Sequence, residues 1–214
     1  TYGDQPMLAD PLDMKYIYVR ESGVDHQVAD EGAFAKRDIP AQTTITLYGG
    51  LVLNNYENEL YINRTREEIA NRRDPSEDAD ELFYVQRKYA GSTRCTTITQ
   101  QRLWINIPAD MGSLAKYNAT WAHKLNHKFV PNCQYGKILD SPRFGLIGAF
   151  LTIREIKKDE QLFISYRYQL NDCPKWYKEA YEKEVGPLPQ SEADEKNDDN
   201  FSTSFTGDSS SSYV

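Results

Sequence analysis

The sequence predicts an α+β domain that is mostly β. Three observations carry this: many short runs of β-formers, irregular polar connections between them, and only one or two stretches with helical spacing. At 214 residues there is room for one ordinary domain with additions and a proper hydrophobic core.

In chain order, residues 1–13 hold two prolines and little apolar periodicity, which predicts a loose leader. Tyr16-Ile17-Tyr18-Val19 reads as the first strand. A polar stretch with Gly23 follows, then Ala33-Phe34-Ala35. Asp38-Ile39-Pro40-Ala41 is a turn, and Thr44-Ile45-Thr46-Leu47-Tyr48 is a β-branched strand stopped by Gly49-Gly50. From Tyr56 charges rise, and 66–73 predicts a short helix broken by Asp74-Pro75-Ser76. Leu82–Val85, Cys95–Thr99 and Leu103–Ile107 are expected strands, and Met111–Leu125 is expected to be a helix. Phe144–Ile153 is a strand whose Gly145 and Gly148 allow close approach. The stretch 160–168 alternates, with Leu162, Ile164, Tyr166 and Tyr168 on one face. Pro174 suits a helix start, followed by Trp176/Ala180 and Tyr177/Tyr181 at i, i+4. After Pro189 the acid- and Ser-rich composition predicts disorder.

Net charge is −7, but residues 191–214 carry six acids and one lysine. That leaves −2 on residues 1–190, too balanced for a generic nucleic-acid binder. No signal peptide is visible, and the longest apolar run is far below the ~20 residues of a spanning helix, so a soluble, intracellular protein without a membrane partner is expected. Three cysteines, widely spaced and without CxxC, support neither a disulfide framework nor a self-contained zinc site, so no metal is expected.

Two segments stand out: Asn126-His127-Lys128-Phe129-Val130-Pro131-Asn132-Cys133, and Glu160-Gln161-Leu162 ending in Tyr166. Taken singly they are a loop with a satisfied histidine and an aromatic strand. In this order and spacing they resemble the paired signatures of the SET-domain protein lysine methyltransferases. Within that family the likeness is strongest to the monomethylating animal branch that carries MORN repeats ahead of its SET domain. The resemblance runs from about Tyr16 to about Val185. It implies several small sheets, a pseudoknot in which the second motif threads under the first, and a C-terminal helix. It also implies these divisions: a leader at 1–13, a SET domain at 14–170 with an insert at about 56–103, a helix at 171–186 covering the cofactor, and a tail at 187–214.

By the same resemblance the chain is an S-adenosyl-L-methionine-dependent lysine N-methyltransferase acting on a lysine-containing protein or histone-tail peptide. It is expected to be a monomer, located in the nucleus or cytoplasm, with no direct nucleic-acid contact. Methyl transfer to lysine requires a neutral amine, whose free pKa is about 10.4, in a channel that excludes water and aims it. Tyrosines suit such a channel, with apolar rings as walls and hydroxyls that orient the amine without charge.

The resemblance makes Tyr166 the catalytic tyrosine, with Tyr48, Tyr135 and Tyr168 lining the channel. Asn126 and His127 become cofactor contacts, Trp176 the adenine-stacking residue, and Glu31-Gly32 part of the cofactor loop. His123 and Lys124 match the run before the Asn-His pair. Two positions depart from the pattern: Asp30 stands where the loop's first glycine belongs, and Arg167 where the nearest branch has glycine. A catalytically silent SET domain serving as a peptide-binding or scaffold module therefore stands as the alternative.

Overall fold

The computed structural model describes residues 9–24, 31–72, 74, 77–79, 91–94, 102–107, 112, 114, 119–142, 145–171 and 173–188. The expected strands at 82–85 and 95–99, residue Asp30 and the tail beyond 188 lie outside them. Among the described residues the strands fall into small sheets of two or three.

The amino-terminal segment is ordered earlier than its composition predicts. Asp10 accepts from the Leu12 N–H at 2.9 Å and caps α1 (Pro11–Tyr16), with Pro11 where a missing donor costs nothing. Helix α1 thus takes Tyr16, and β1 spans Ile17–Glu21. Asp13 is fully buried, and its Oδ2 accepts from the Trp121 N–H at 2.9 Å, tying α1 to the stretch before the Asn-His pair. β1 pairs antiparallel with β2 (Glu31–Ala35), from Ile17↔Ala35 to Glu21↔Glu31.

β3 (Thr44–Leu47) ends one residue short of the expected strand. β4 (Leu51–Leu53) follows, then α2 (Asn55–Arg72), which is far longer than the short helix predicted. A reciprocal cap starts it: the Glu57 N–H donates to Asn54 Oδ1 and the Asn54 N–H to Glu57 Oε2, both at 2.9 Å. Only Asn58, Thr65 and Ile69 of α2 are buried, so almost no apolar stripe announces it. β5 (Gly91–Arg94) and β6 (Arg102–Asn106) complete a sheet in the order β4-β6-β5.

The helix expected at 111–125 is not formed in its described part. Thr120 is extended (φ −68°, ψ 156°), and only a single 3₁₀ turn at Trp121–Lys124 leads into β7 (Asn126–His127). β8 (Cys133–Ser141) and β9 (Gly145–Thr152) pair antiparallel, and β3 adds to the other edge of β9, giving the order β3-β9-β8. The expected strand at 160–168 shrinks to β10 (Phe163–Ile164), parallel to β7. Its parallel partner covers only those two residues, and further on Arg167 takes φ +54°, out of the extended backbone that the alternation requires. α3 (Lys175–Glu184) closes the described chain, with Pro174 as its cap.

The main core joins β1, β2, β3, the 3₁₀ turn, β8, β9 and the second motif through Ile17, Ile45, Leu125, Phe150, Ile156 and Leu162. Each such side chain contributes roughly 1.5–3 kcal/mol by leaving water. Two of them, Leu125 immediately before the first motif and Leu162 within the second, bring those segments together by their burial.

Candidate active site

The two motifs meet through side chains that stand in for a ladder. Asn132, 4 % exposed, accepts the Phe163 N–H at 2.7 Å and donates to the Gln161 carbonyl at 2.8 Å. Its Nδ2 also lies 3.1 Å from Glu160 Oε1. Beside it the Lys128 N–H donates to the Ile164 carbonyl at 3.0 Å, continuing the short parallel pairing. The second motif therefore runs alongside the first, the juxtaposition a pseudoknot requires. Arg154 also grips Glu160, at 2.5 Å, and this hydrogen bond is the main reason the Glu160 carboxyl titrates below its ordinary range.

Tyr166 enters the site from this junction. Its hydroxyl donates to the Leu125 carbonyl at 3.1 Å, and its N–H donates to Nδ1 of His127 at 3.1 Å. Because Nδ1 accepts, the neutral imidazole carries its proton on Nε2, which is buried and has no hydrogen-bond partner among the described residues. Burial pushes the His127 pKa down to about 4, outweighing the carbonyl of Ile164. A histidine neutral at pH 7 with so low a pKa is not a general base. Cys133 is no nucleophile either: its thiol is pushed up to about 12, chiefly by burial.

Around His127 the aromatic rings converge. Tyr166 lies 5.3 Å away, Trp176 6.1 Å, Tyr177 4.8 Å and Phe129 4.5 Å between centroids. Trp176 of α3 meets both Tyr166 (6.2 Å) and Tyr168 (6.4 Å) edge to face. Tyr166 and Tyr168 also meet edge to face at 5.8 Å, not side by side as a continuous strand would set them. Four predicted residues thus share one cluster: His127, Tyr166, Tyr168 and Trp176. Phe129, Tyr177 and Tyr181 join it, and sequence reasoning had given them no role in the site.

Asn126 works on the adjoining loop. Its Nδ2 donates to Ser22 Oγ at 2.9 Å and to the Glu31 carbonyl at 3.0 Å. Ser22 Oγ also accepts from Gln161 Nε2 at 2.9 Å, while the Gly23 N–H reaches Gln161 Oε1 at 3.3 Å. A Cβ at Gly32 would overlap the Gln161 carboxamide, which would have to shift from its bonds to Ser22 and Gly23. Glu31 is held a second way: its carboxylate pairs with the buried Lys124 at 2.7 Å. The start and end of the β1–β2 connection are thereby tied to both motifs. Neither had been given a site role: Ser22 is a single polar residue without periodic signal, and Gln161 had been read only as part of the second motif's strand.

Tyr48 and Tyr135 sit in a second group, on the β3-β9-β8 sheet. Thr120, 1 % exposed, clamps the backbone on both sides of Tyr48: its hydroxyl donates to the Leu47 carbonyl (2.5 Å) and accepts from the Gly49 N–H (2.7 Å). The Tyr48 N–H donates to the Gly148 carbonyl at 2.8 Å. Tyr48 and Tyr135 both meet Phe150 edge to face, at 5.7 and 5.2 Å. Phe150 and Leu125 belong to one buried cluster, and the Leu125 carbonyl takes the Tyr166 hydroxyl, so the two groups flank a shared core. His123 lies beneath: its ring Nδ1 is 2.6 Å from the Thr120 carbonyl, and burial, the largest cause, lowers its pKa to about 4.

Comparison with known proteins agrees with this arrangement. The SET domain family model matches residues 30–167. A histone-lysine N-methyltransferase, SETD7, from Halocynthia roretzi is 28% identical over 182 residues, covering 81% of this chain and 39% of that protein. This chain therefore spans well under half the length of that relative. With the family model matching well over half of the chain and both motifs packed against one another, the chain belongs to the SET-domain family.

Proposed function

We propose that this chain is an S-adenosylmethionine-dependent protein lysine N-methyltransferase that stops at monomethyl-lysine. The observation that carries the reading is the junction at Tyr166, where the two motifs, the Leu125 carbonyl, His127 and Trp176 converge in a SET-family chain. The Halocynthia roretzi relative's name, histone-lysine N-methyltransferase, supports a lysine in a protein or histone tail as substrate.

The residues present fit the cofactor. His127 Nε2 is a buried donor without a protein partner among the described residues, on a ring whose centre lies 6.1 Å from that of Trp176. The buried Lys124 ammonium, paired with Glu31, places a cation by the loop that the second glycine, Gly32, opens. Trp176 would cover an adenine, and Asn126, with the Lys124–Glu31 pair, would hold the loop in place. S-adenosylmethionine, when bound, supplies a methyl carbon on a cationic sulfur.

The chain's own residues would do the rest. Rings of Tyr48, Tyr135, Tyr166 and Tyr168 wall off water, and the low polarity favours the neutral amine. With its proton donated to the Leu125 carbonyl, the Tyr166 oxygen turns its lone pairs to the amine hydrogens. Orientation supplies most of the acceleration. Two phenol hydroxyls at the channel end, from Tyr48 and Tyr135, hold the amine and fill the volume a second methyl needs.

Titration calorimetry with S-adenosylmethionine, followed by mass spectrometry of core histones after a saturating reaction, tests the proposal. Heat of binding and a product of one added methyl per target lysine are expected. Absence of heat at millimolar cofactor would favour the silent-module alternative; abundant trimethyl product would remove the channel assignment of Tyr48 and Tyr135.

A further inference from the structure

β9 is the central strand of its sheet, and a glycine in its interior weakens a strand unless something requires it. Gly148 is not there for its backbone: the positive-φ glycines among the described residues are Gly145 and Gly186. What it provides is space. A Cβ built at 148 would overlap the hydroxyl and Cζ of Tyr135 and stand 3.0 Å from its Cε2.

The register explains how the phenol comes to lie there. Tyr135 pairs with Phe150, but Ile138 pairs with Gly148, so β8 carries one extra residue between them. Phe150 and Gly148 are two apart on β9 and share a face. From its place beside Phe150, the Tyr135 ring lies diagonally along that face and sets its hydroxyl over Gly148. On the opposite edge Leu47 pairs with Ala149, and the Tyr48 N–H donates to the Gly148 carbonyl, so Tyr48 lies beside the same residue. Gly148 thus stands between the Tyr135 hydroxyl and the backbone of Tyr48.

The geometry points to Gly148 as a positioning residue that sets product specificity: its missing side chain is the seat of the Tyr135 hydroxyl, and any larger residue lifts that hydroxyl from the channel end. The inference rests on the monomethyl reading above and assigns its cause to a residue outside the four tyrosines proposed to line the channel.

The test compares Gly148→Ala, Tyr135→Phe, Tyr135→Ala and the pair Gly148→Ala with Tyr135→Ala. Core histones and S-adenosylmethionine are the substrates, mass spectrometry reads the product, and urea unfolding reads stability. Gly148→Ala is expected to raise the ratio of dimethyl to monomethyl product on the order of tenfold, as Tyr135→Phe does. It should lower the urea midpoint in the parent but not with Ala at 135, where no ring remains to be displaced. If Tyr135→Phe opens dimethylation and Gly148→Ala does not, the seat is wrong while the monomethyl reading stands. An equal loss of stability in both backgrounds overturns the seat as well. Dimethyl product from the unmodified chain would instead overturn the monomethyl reading, and this inference with it.

Discussion

The two halves of the site are built in different ways. On the motif side, β7 and β10 are joined by side chains reaching backbone: Asn132 to Phe163 and Gln161, His127 to the Tyr166 amide, and Tyr166 to Leu125, while α3 meets them through the ring of Trp176. On the channel side, Tyr48 and Tyr135 owe their meeting to strand register, a bulge, the Thr120 clamp and the bare surface of Gly148. In the first half the chemistry is written in residue type at fixed spacing. In the second it lies in which residues stand opposite one another. Damage to the first should break binding and catalysis, whereas damage to the second should alter what is made.

The largest effect expected is at Tyr166→Phe. Loss of the hydroxyl aimed from the Leu125 carbonyl should lower the rate about a hundredfold or more with the melting temperature nearly unchanged. Initial rates with radiolabelled cofactor check this; a rate equal to the parent's would remove Tyr166 from the chemistry. Asn132→Ala should act on the fold instead. It strips two close backbone partners and a carboxylate contact from a buried site, a loss of about 3 kcal/mol in urea unfolding. A loss below about 1 kcal/mol would mean the motifs are held together by apolar burial alone.

Acid should loosen both halves, because His127 sits in one and His123 supports the other. Both fold with pKa values of about 4 against an ordinary 6.5, so the unfolded chain takes up protons first as pH falls. Their contribution to stability is full above about pH 6.5 and is lost progressively towards pH 4. For the 5 %-exposed His123 it amounts to at most about 3 kcal/mol. Melting curves at half-unit steps from pH 7.5 to 4.5 read it, and a flat midpoint across that range would contradict the buried neutral rings.

Tyr135→Phe sharpens the contrast on the channel side. It should keep the rate of first methylation within a few-fold while adding dimethyl product, with the ratio rising about tenfold. A uniform fall in rate with no new product would place Tyr135 with Tyr166 as a general contributor. The smallest effect is at Arg167→Gly. The exposed arginine sits at φ +54°, a conformation that glycine adopts without strain, so stability should rise by roughly 1 kcal/mol. A lowered melting midpoint would show that the side chain of Arg167 supports the junction.

Several elements were legible in the residues themselves. Alternation and β-branching marked the strand at 44–47 and the long strand at 145–152, and Pro174 with Trp176 and Tyr177 marked the last helix. The Asn54-x-x-Glu57 capping signal of α2 was also present. It went unread because the helix buries only Asn58, Thr65 and Ile69, and a polar helix lacks the stripe by which helices are recognised. The expected strand at 160–168 failed for a related reason. Alternation of side chains describes what a segment would do with a partner strand, and here Asn132 takes the partner's place over part of its length.

By itself, then, the sequence singled out the residues on which the proposed site chemistry rests: the Asn-His pair, the motif tyrosine, the tryptophan that follows and the glycine of the proposed cofactor loop. Only the tertiary structure decided that Ser22 and Gln161 hold the loop, that Thr120 fixes Tyr48, and that Gly148 seats Tyr135. These depend on register and on empty volume between residues distant in the chain. Spacing along one strand says nothing about which residue of another will fill that volume.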